Sequence, residues 1–528
     1  MSNHAYESAA ALRPSSNGPI PISTLCERFS LAPASAEDAA ALNDLSILGV
    51  SVDSADTAPG ELFVGLPGFT VHGARFAADA VASGAVAVLT DADGAQIVHQ
   101  TAPGTPVLVH SDPRAVVGPL SAEVYHHPAR GLVTTAVTGT NGKTTTAYFL
   151  DAILSAHVGG CMVAGTVELR VGERSVESPR TTVEAPVLQR MMALAVEDKV
   201  GAASLEASSH AIVLHRLDGI VVDVAGFTNL QRDHLDFHKT MEGYLEAKAQ
   251  LFTPEHARRG VVCVDDQWGA TLAAEAPIEI DRVRAYPGDT PADWWVSDAA
   301  VSLTDSATTV TLHGPDGEKS EASCPLPGLV NVQNAALALV MAIRAGVPAA
   351  TAATALAGAH NIPGRMQRIS QRDGRRGLCI VDFAHTPDAM ELALKAVRPI
   401  TPGRLIVVFG SDGDRDQGKR PMLGEVCARL ADVLVVTDEN PRSEDPQLIR
   451  NAILEGVRGV RPDLTDVEEI TTWRGDAVRR GVELCGPDDT VIVTGKGHEP
   501  FLEMAGEFIR YNDAPVMAEA VEEKWGRA

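Results

Sequence analysis

Val133-Thr-Thr-Ala-Val-Thr-Gly139-Thr140-Asn141-Gly142-Lys143-Thr144-Thr145-Thr146 is the stretch from which the rest of the chain is read. A β-branched run enters a glycine turn, and Ala147-Tyr148-Phe149-Leu150 carries it on as helix. Strand, turn and helix in that order gather backbone N–H groups and the positive end of a helix dipole around one point, which suits a polyphosphate. Lys143 adds a full charge, and the Thr144 hydroxyl is placed to hold a magnesium ion. The usual pattern has a glycine five residues before the second one; Val137 stands there, and Gly139 lies only three before Gly142. This is a shortened phosphate loop. The plainer alternative is a strand–turn–helix corner with a chance Gly-Lys-Thr.

At 528 residues the chain is too long for one core, and its length suggests about three domains. With 45% hydrophobic and 21% charged residues it is globular. No apolar run reaches the ~18 residues of a membrane span. Residues 1–22 are Ser-, Asn- and Pro-rich without a basic-then-apolar order, and read as a flexible leader. Seven cysteines, scattered singly, read as reduced core thiols of a cytoplasmic protein, with neither disulfide nor structural zinc expected. A formal charge of −25 argues against nucleic acid or an anionic membrane as main partner. An anionic small substrate then requires cations gathered locally.

Outward from the loop, the pattern predicts an α/β protein of three domains. A small α/β N-terminal domain spans 23–131, with a strand in Gly60–Gly68, a helix-to-strand run in Ala78–Leu89, a strand at Val107–Val109 and an exit linker at Tyr125–Pro128. A central P-loop ATPase-type domain with a mostly parallel sheet spans 132–361. Its predicted strands are Ala202–Leu205, Ile220–Ala225 and Gly260–Val264, its helices Met241–Phe252 and Ala335–Ala345, the latter opened by Asn331 and Asn334. Val301–Leu312 reads as one antiparallel strand near an edge. A Rossmann-like C-terminal domain spans 362–528, with strands at Leu378–Phe383, Arg404–Phe409, Val433–Thr437 and Thr490–Thr494. Polar loops collect at the carboxyl ends of these strands, where open α/β sheets bind ligands.

Glu206 follows a strand and would complete magnesium binding if that strand neighbours the phosphate loop; otherwise it is an ordinary exposed acid. Thr228–His238 reads as a polar loop with satisfied histidines, and Lys248 as a solvated helix lysine. Arg415, Lys419, Arg420, Arg442 and Lys496 fall at successive strand ends, the local cationic cluster that the overall charge demands. A guanidinium there is a natural grip for a carboxylate.

These motifs together resemble the Mur ligases, ATP-dependent amide-forming enzymes of peptidoglycan precursor synthesis, and closest among them the members that add the third stem-peptide residue. Thr138–Thr144, Ser208-Ser-His, Thr228-Asn-Leu through Asp233-His-Leu-Asp, Asp382–Pro387, Gly413-Asp-Arg-Asp through Lys419-Arg-Pro, Asn440-Pro-Arg and Gly495-Lys-Gly-His-Glu fall in family order, within about Val50 to Asp513.

The resemblance implies that ATP phosphorylates a D-glutamate carboxylate and that an amine attacks the acyl phosphate. It implies that Gly139, Thr140, Asn141, Gly142, Lys143, Thr144 and Thr145 cradle ATP. Asn334, Arg365 and Asp382 complete the ATP site. Two Mg2+ ions are implied, one on Thr144 and Glu206, the other on His234 and Lys248, with Lys248 carbamylated to N6-carboxylysine; Lys143, Lys248, His234 and Glu206 form the catalytic set. The UDP-MurNAc-dipeptide falls to Val52, Ser54, Phe69, Thr70, Val71, Thr181, Thr182, Ser208 and Arg216. The amino acid falls to Arg415, Glu439, Asn440, Pro441, Arg442, Gly495 and Glu499, of the meso-diaminopimelate type, whose arginine grips a distal carboxylate that lysine lacks. A cytoplasmic monomer acting in cell-wall biogenesis is expected. Glu439, Ala55, His72, Gln367 and Leu214 depart from the family pattern. Alternatives are an L-lysine-adding enzyme of the same family, a folylpolyglutamate synthase-like ligase, and a non-catalytic nucleotide-binding protein. The N-terminal domain and the Asn440-Pro-Arg loop argue against the second, and the intact set Lys143, Glu206, His234, Lys248 and Asp382 against the third.

Overall fold

A computed structural model describes residues 11–302, 307–359 and 362–526. By compactness the chain forms two units, one running to Trp295 and including Ala336–Ala355, the other made of Val296–Ala335 and Leu356–Ala528. Three main sheets, each mostly parallel, organise the α/β fold.

The first unit holds the N-terminal sheet and most strands of a second. The N-terminal sheet runs Ala32–Pro33, Val107–Val109, Ala87–Thr90, Glu61–Val64, Gly49–Ser51, parallel except at its first edge. The inner strands Ala87–Thr90 and Glu61–Val64 are buried on both faces, so they show no alternation. The segment expected to be a free leader is in part fixed. Residues 1–10 lie outside the described residues, but Leu12 is fully buried, Arg13 bonds Glu61 and the main chain of Asp56, and Ile20–Pro21 pairs with Ser46–Ile47. One apolar anchor and one paired cation suffice to order a stretch whose composition reads as linker.

In the second sheet of this unit Val133–Thr138 is central, flanked in parallel by Ala202–Glu206 and Val222–Phe227. Cys161–Ala164, Ala257–Cys263 and Glu279–Arg284 extend it, and Glu168–Val171 with Arg174–Glu177 closes one edge antiparallel. The helix Lys143–Val158 starts at Gly142 and stops at Gly159, both in the left-handed region, φ 90° and 84°. The predicted helix over 241–252 is Met241–Ala249, capped by the Thr240 hydroxyl, and ends in a 3-10 turn at Gln250–Phe252.

In the second unit the sheet order is Gln367–Ser370, Leu378–Val381, Thr490–Val493, Leu405–Phe409, Val433–Val436, Val467–Glu469, parallel after its first strand. Four of the carboxyl ends are therefore neighbours. Two expectations fail here. The single strand predicted over 301–312 is two: one ends at Val301 and another, Thr308–His313, pairs antiparallel with Lys319–Cys324. Ser302 N–H donates to Ala307 O at 2.8 Å; residues 303–306 of the predicted strand lie outside the described residues. The helix expected to open at Asn331 and Asn334 already begins at Leu329, after Gly328 at φ 93°. Asn331 Nδ2 donates back to Pro327 O at 2.7 Å inside the first turn. Among the described residues no helix is long and apolar enough to cross a membrane.

Candidate active site

The parallel register sets Glu206 opposite Val137, two residues before Gly139. Its carboxylate reaches the phosphate-loop helix, where Thr144 Oγ1 donates to Glu206 Oε2 at 2.9 Å. Thr166 adds its N–H to Oε1 at 2.8 Å and its hydroxyl to Oε2 at 3.0 Å. Three of the carboxylate's roughly four acceptor positions are then filled, and Glu206 is buried, not the exposed acid of the alternative reading.

On the other side, the turn after Val222–Phe227 clasps the loop. Thr140 N–H donates to Asn229 O at 2.9 Å, Asn141 N–H to Asn229 Oδ1 at 3.1 Å, and Thr228 Oγ1 to Asn141 O at 2.6 Å. A Cβ on Gly139, φ 144°, would collide with Thr228 Oγ1, so only glycine fits. These bonds tie the Thr140 and Asn141 amides to Asn229.

Lys143 Nζ donates to Gly139 O at 3.1 Å and Thr140 O at 3.0 Å. Lys248 Nζ donates to the same Gly139 O at 2.8 Å and lies 4.5 Å from the Tyr244 ring centre. Lys248 is 1% exposed, which overturns its reading as a solvated lysine. Burial first, and the Lys143 charge second, hold its pKa well below that of an ordinary lysine. The sequence conceals this because Glu242 and Glu246 on the helix, and Gln250 just after it, are polar; depth behind the loop is tertiary.

His234 sits in the left-handed region at φ 52°, its ring 4.9 Å from His210 and 6.2 Å from Tyr244. His238 stacks on Tyr244 at 4.9 Å and bonds Ser209 Oγ at 2.8 Å. Burial and the neighbouring His210 and Lys248 charges push His238 down to about 4. The loop read as polar thus packs its two imidazoles against His210 from another helix.

A cleft in the same unit is lined by Val50–Asp53, Asp56, Pro179, Arg180, Val183, Glu184, Pro186 and Val187. It brings Val52 against the segment carrying Thr181 and Thr182. Thr182 Oγ1 donates to Glu206 O at 2.7 Å and accepts from Ser208 N–H at 3.0 Å; Arg216 donates to Thr182 O at 3.2 Å and pairs with Glu184 at 2.9 Å. Ser54 stands at the start of a 3-10 turn, while Phe69, Thr70 and Val71 are exposed outside the cleft, Phe69 by 88%. Two departures serve local turns: His72 accepts from Ala74 N–H at 3.1 Å and pairs with Asp91, and Ala55 N–H donates to Asp53. Leu214 offers its carbonyl to Arg114.

In the second unit, Asp382 accepts from Met366 N–H at 2.8 Å and Ala384 N–H at 2.9 Å, and Arg365 lies 4.4 Å over Phe383. Gln367, another departure, accepts from Gly364 N–H at 2.9 Å. Asn334 Oδ1 is buried without a hydrogen-bond partner.

The acceptor loops interlock. Asn440 O accepts from Gly413 N–H, and Asn440 Nδ2 donates to Glu499 Oε2 at 3.1 Å. Lys496, fully buried, donates to Asn440 Oδ1 at 2.9 Å and Glu499 at 3.2 Å. Arg442 is left-handed at φ 55° and pairs with Glu503 at 3.0 Å. Ser443 Oγ donates to Asp414, next to the exposed Arg415. Pro441 packs over Gly413, where a Cβ would collide with its carbonyl. Glu439 is buried beneath Gly495, one carboxyl oxygen without a partner. Burial, then Asp412, push it up to about 8. Sequence reasoning missed Glu503 and the fully buried Arg474–Asp513 pair at 2.8 Å. No spacing marks them, since Arg474 reaches Asp438 O and Thr494 O only across the sheet.

Residues 46–125 match the Mur ligase family catalytic domain, 137–342 the Mur ligase middle domain and 364–497 the Mur ligase glutamate ligase domain. The chain is 43% identical over 483 residues to a UDP-N-acetylmuramoyl-L-alanyl-D-glutamate–2,6-diaminopimelate ligase of Streptomyces avermitilis, covering 92% of this chain and 94% of that one. It is 42% identical over 508 residues to a UDP-N-acetylmuramyl-tripeptide synthetase of Leifsonia xyli, covering 95% and 96%. A solved UDP-N-acetylmuramoyl-L-alanyl-D-glutamate–2,6-diaminopimelate ligase superposes with a TM-score of 0.64 at 31% identity, over 91% of this chain and 95% of that one. The chain belongs to the Mur ligase family of ATP-dependent, amide-forming ligases.

Proposed function

We propose that this chain joins meso-2,6-diaminopimelate to UDP-N-acetylmuramoyl-L-alanyl-D-glutamate at the expense of ATP, in the cytoplasm. The observation that carries the reading is the convergence of Lys143 and Lys248 on the Gly139 carbonyl beside the Thr144–Glu206 contact. A carboxylate is a poor electrophile, so its oxygen first takes the γ-phosphoryl group. The acceptor amine then attacks the carbonyl, loses a proton and expels phosphate. Charge gathers between two anions in the first step, and preorganised cations offset it.

Lys143 and the amides at the start of Lys143–Val158 hold the phosphates. The residues fit a hard divalent ion, since a hydroxyl and a carboxylate meet at the loop with an acceptor position to spare. Bound Mg2+ would neutralise phosphate charge there. Lys248 fits carbamylation: its depressed pKa favours the neutral amine, the form that adds to CO2, and the product would be an anion near His234. Thr181, Thr182, Ser208 and Arg216 border the dipeptide end, with Val52 in the cleft and Ser54, Phe69, Thr70 and Val71 around it. Asn440 and Arg442, with Arg415, Glu439, Gly495 and Glu499, receive the diamino acid; Asn334, Arg365 and Asp382 are assigned to ATP.

Phosphate release from ATP and the UDP-dipeptide, with meso-diaminopimelate, L-lysine or L-ornithine as acceptor, tests this. Release is expected only with meso-diaminopimelate. Release at the same rate without acceptor would end the reading.

A further inference from the structure

We infer that Glu503 is a positioning residue for the acceptor site: it holds the Arg442 guanidinium in the orientation that receives the acceptor's distal carboxylate. The inference rests on the proposal that Arg442 grips that carboxylate.

Glu503 Oε2 forms an ion pair with Arg442 Nη1 at 3.0 Å, both side chains being about three-quarters buried. The two main chains are pinned to each other as well. Arg442 N–H donates to Glu503 O at 3.0 Å, Ala505 N–H donates to Arg442 O at 2.6 Å, and Arg442 forms an isolated parallel bridge with Met504. Glu503 N–H donates to Asn440 Oδ1 at 3.2 Å, an oxygen that also accepts from Lys496. The strand Phe501–Met504 is thereby stitched along the Asn440-Pro-Arg turn, and Glu503 cannot drift from its arginine.

The second guanidinium nitrogen is held far more loosely. Arg442 Nη2 lies 3.9 Å from Asp412, beyond hydrogen-bond distance. One terminal nitrogen is fixed, and the other is left for a ligand. An arginine side chain loses considerable rotamer freedom when it is ordered. Fixing it beforehand removes part of that cost from binding. Arg442 itself adopts φ 55°, a region that few non-glycine residues occupy, so its main chain too is constrained by these contacts.

The test is steady-state kinetics of Glu503→Ala and Glu503→Gln in the full-length chain. Alanine removes the oxygen beside Nη1; glutamine keeps an oxygen in the same place without the charge. Expected for Glu503→Ala is a rise in KM for meso-diaminopimelate of about three- to tenfold. The kcat and the KM values for ATP and the UDP-dipeptide stay at wild-type levels, and Glu503→Gln recovers most of the loss. A KM that falls in Glu503→Ala would overturn the inference, since Glu503 would then be a competitor for Arg442. So would equal rises in all three KM values, or a glutamine variant as impaired as alanine. Wild-type enzyme assayed alongside separates the two proposals: turnover of L-lysine but not meso-diaminopimelate sinks the acceptor assignment itself, whatever Glu503 does.

Discussion

The phosphate loop of the first unit and the acceptor loops of the second are both cationic, yet they handle charge differently. Lys143 and Lys248 rest on main-chain carbonyls, which can release them to a stronger anion. Arg442, Arg420 and Lys496 are each paired with a carboxylate, Glu503, Glu444 and Glu499. A site for a polyphosphate gains from excess positive charge. A site for a diamino acid must receive ammonium and carboxylate groups together, and cations alone would repel half of the ligand. Paired charges also fix side-chain geometry, which discriminates between acceptors better than charge does.

The largest expected effects break the phosphate side. Lys248→Ala should lower phosphate release by at least about 10³-fold, and added bicarbonate should not restore it. Activity near wild type would remove the buried amine from the chemistry. On the acceptor side, the comparably large effect is on stability. Arg474→Ala leaves Asp513 buried without its partner and should cost about 3–5 kcal/mol in urea unfolding. A cost under about 1 kcal/mol, the value of an exposed pair, would show that these loops do not depend on it.

Glu206→Gln should weaken magnesium dependence by about 10–100-fold, read as a shift of the Mg2+ activation curve with a smaller change in KM for the acceptor. Equal damage to both would blur the contrast between the sites. Arg442→Ala should do the converse, raising KM for meso-diaminopimelate by about thirtyfold, from about 2 kcal/mol per charged contact, with KM for ATP unmoved.

One further effect on the acceptor side concerns pH. Glu439 in the folded chain releases its proton only at about 8, against 4.5 for the ordinary side chain. Between these values the unfolded chain is ionised and the folded one is not, so stability falls as pH rises through that window and is level above it. Glu439→Gln should remove the fall. Melting temperatures at about pH 5 and about pH 9 should lie closer together in the variant than in the wild type. Parallel profiles would place the titration elsewhere.

Much of the phosphate end was legible because it is local. Val133–Thr138 and Gly139–Thr145 sit within a dozen or so residues, and the parallel register that brings Glu206 alongside follows from strand order. Asn229 was less visible: its carbonyl and side chain take the Thr140 and Asn141 amides from some ninety residues away. The acceptor loops were recognisable as motifs, but not the partners of their charges. Glu503, Arg474 and Asp513 belong to no motif and meet the loops only through sheet packing. Two boundary errors, at 301–312 and at Asn331, came from reading alternation and capping residues without knowing where the chain turns.

By itself the amino-acid sequence determined the α/β alternation, the phosphate loop and the order of the family motifs, because each depends on residues close in the chain. The tertiary structure alone decided that Lys248 is buried and its amine easily deprotonated, and that Arg442 is held by Glu503. Burial and ion pairing depend on what lies across a core or a sheet, and a helix of mixed polarity does not announce which of its lysines faces inward.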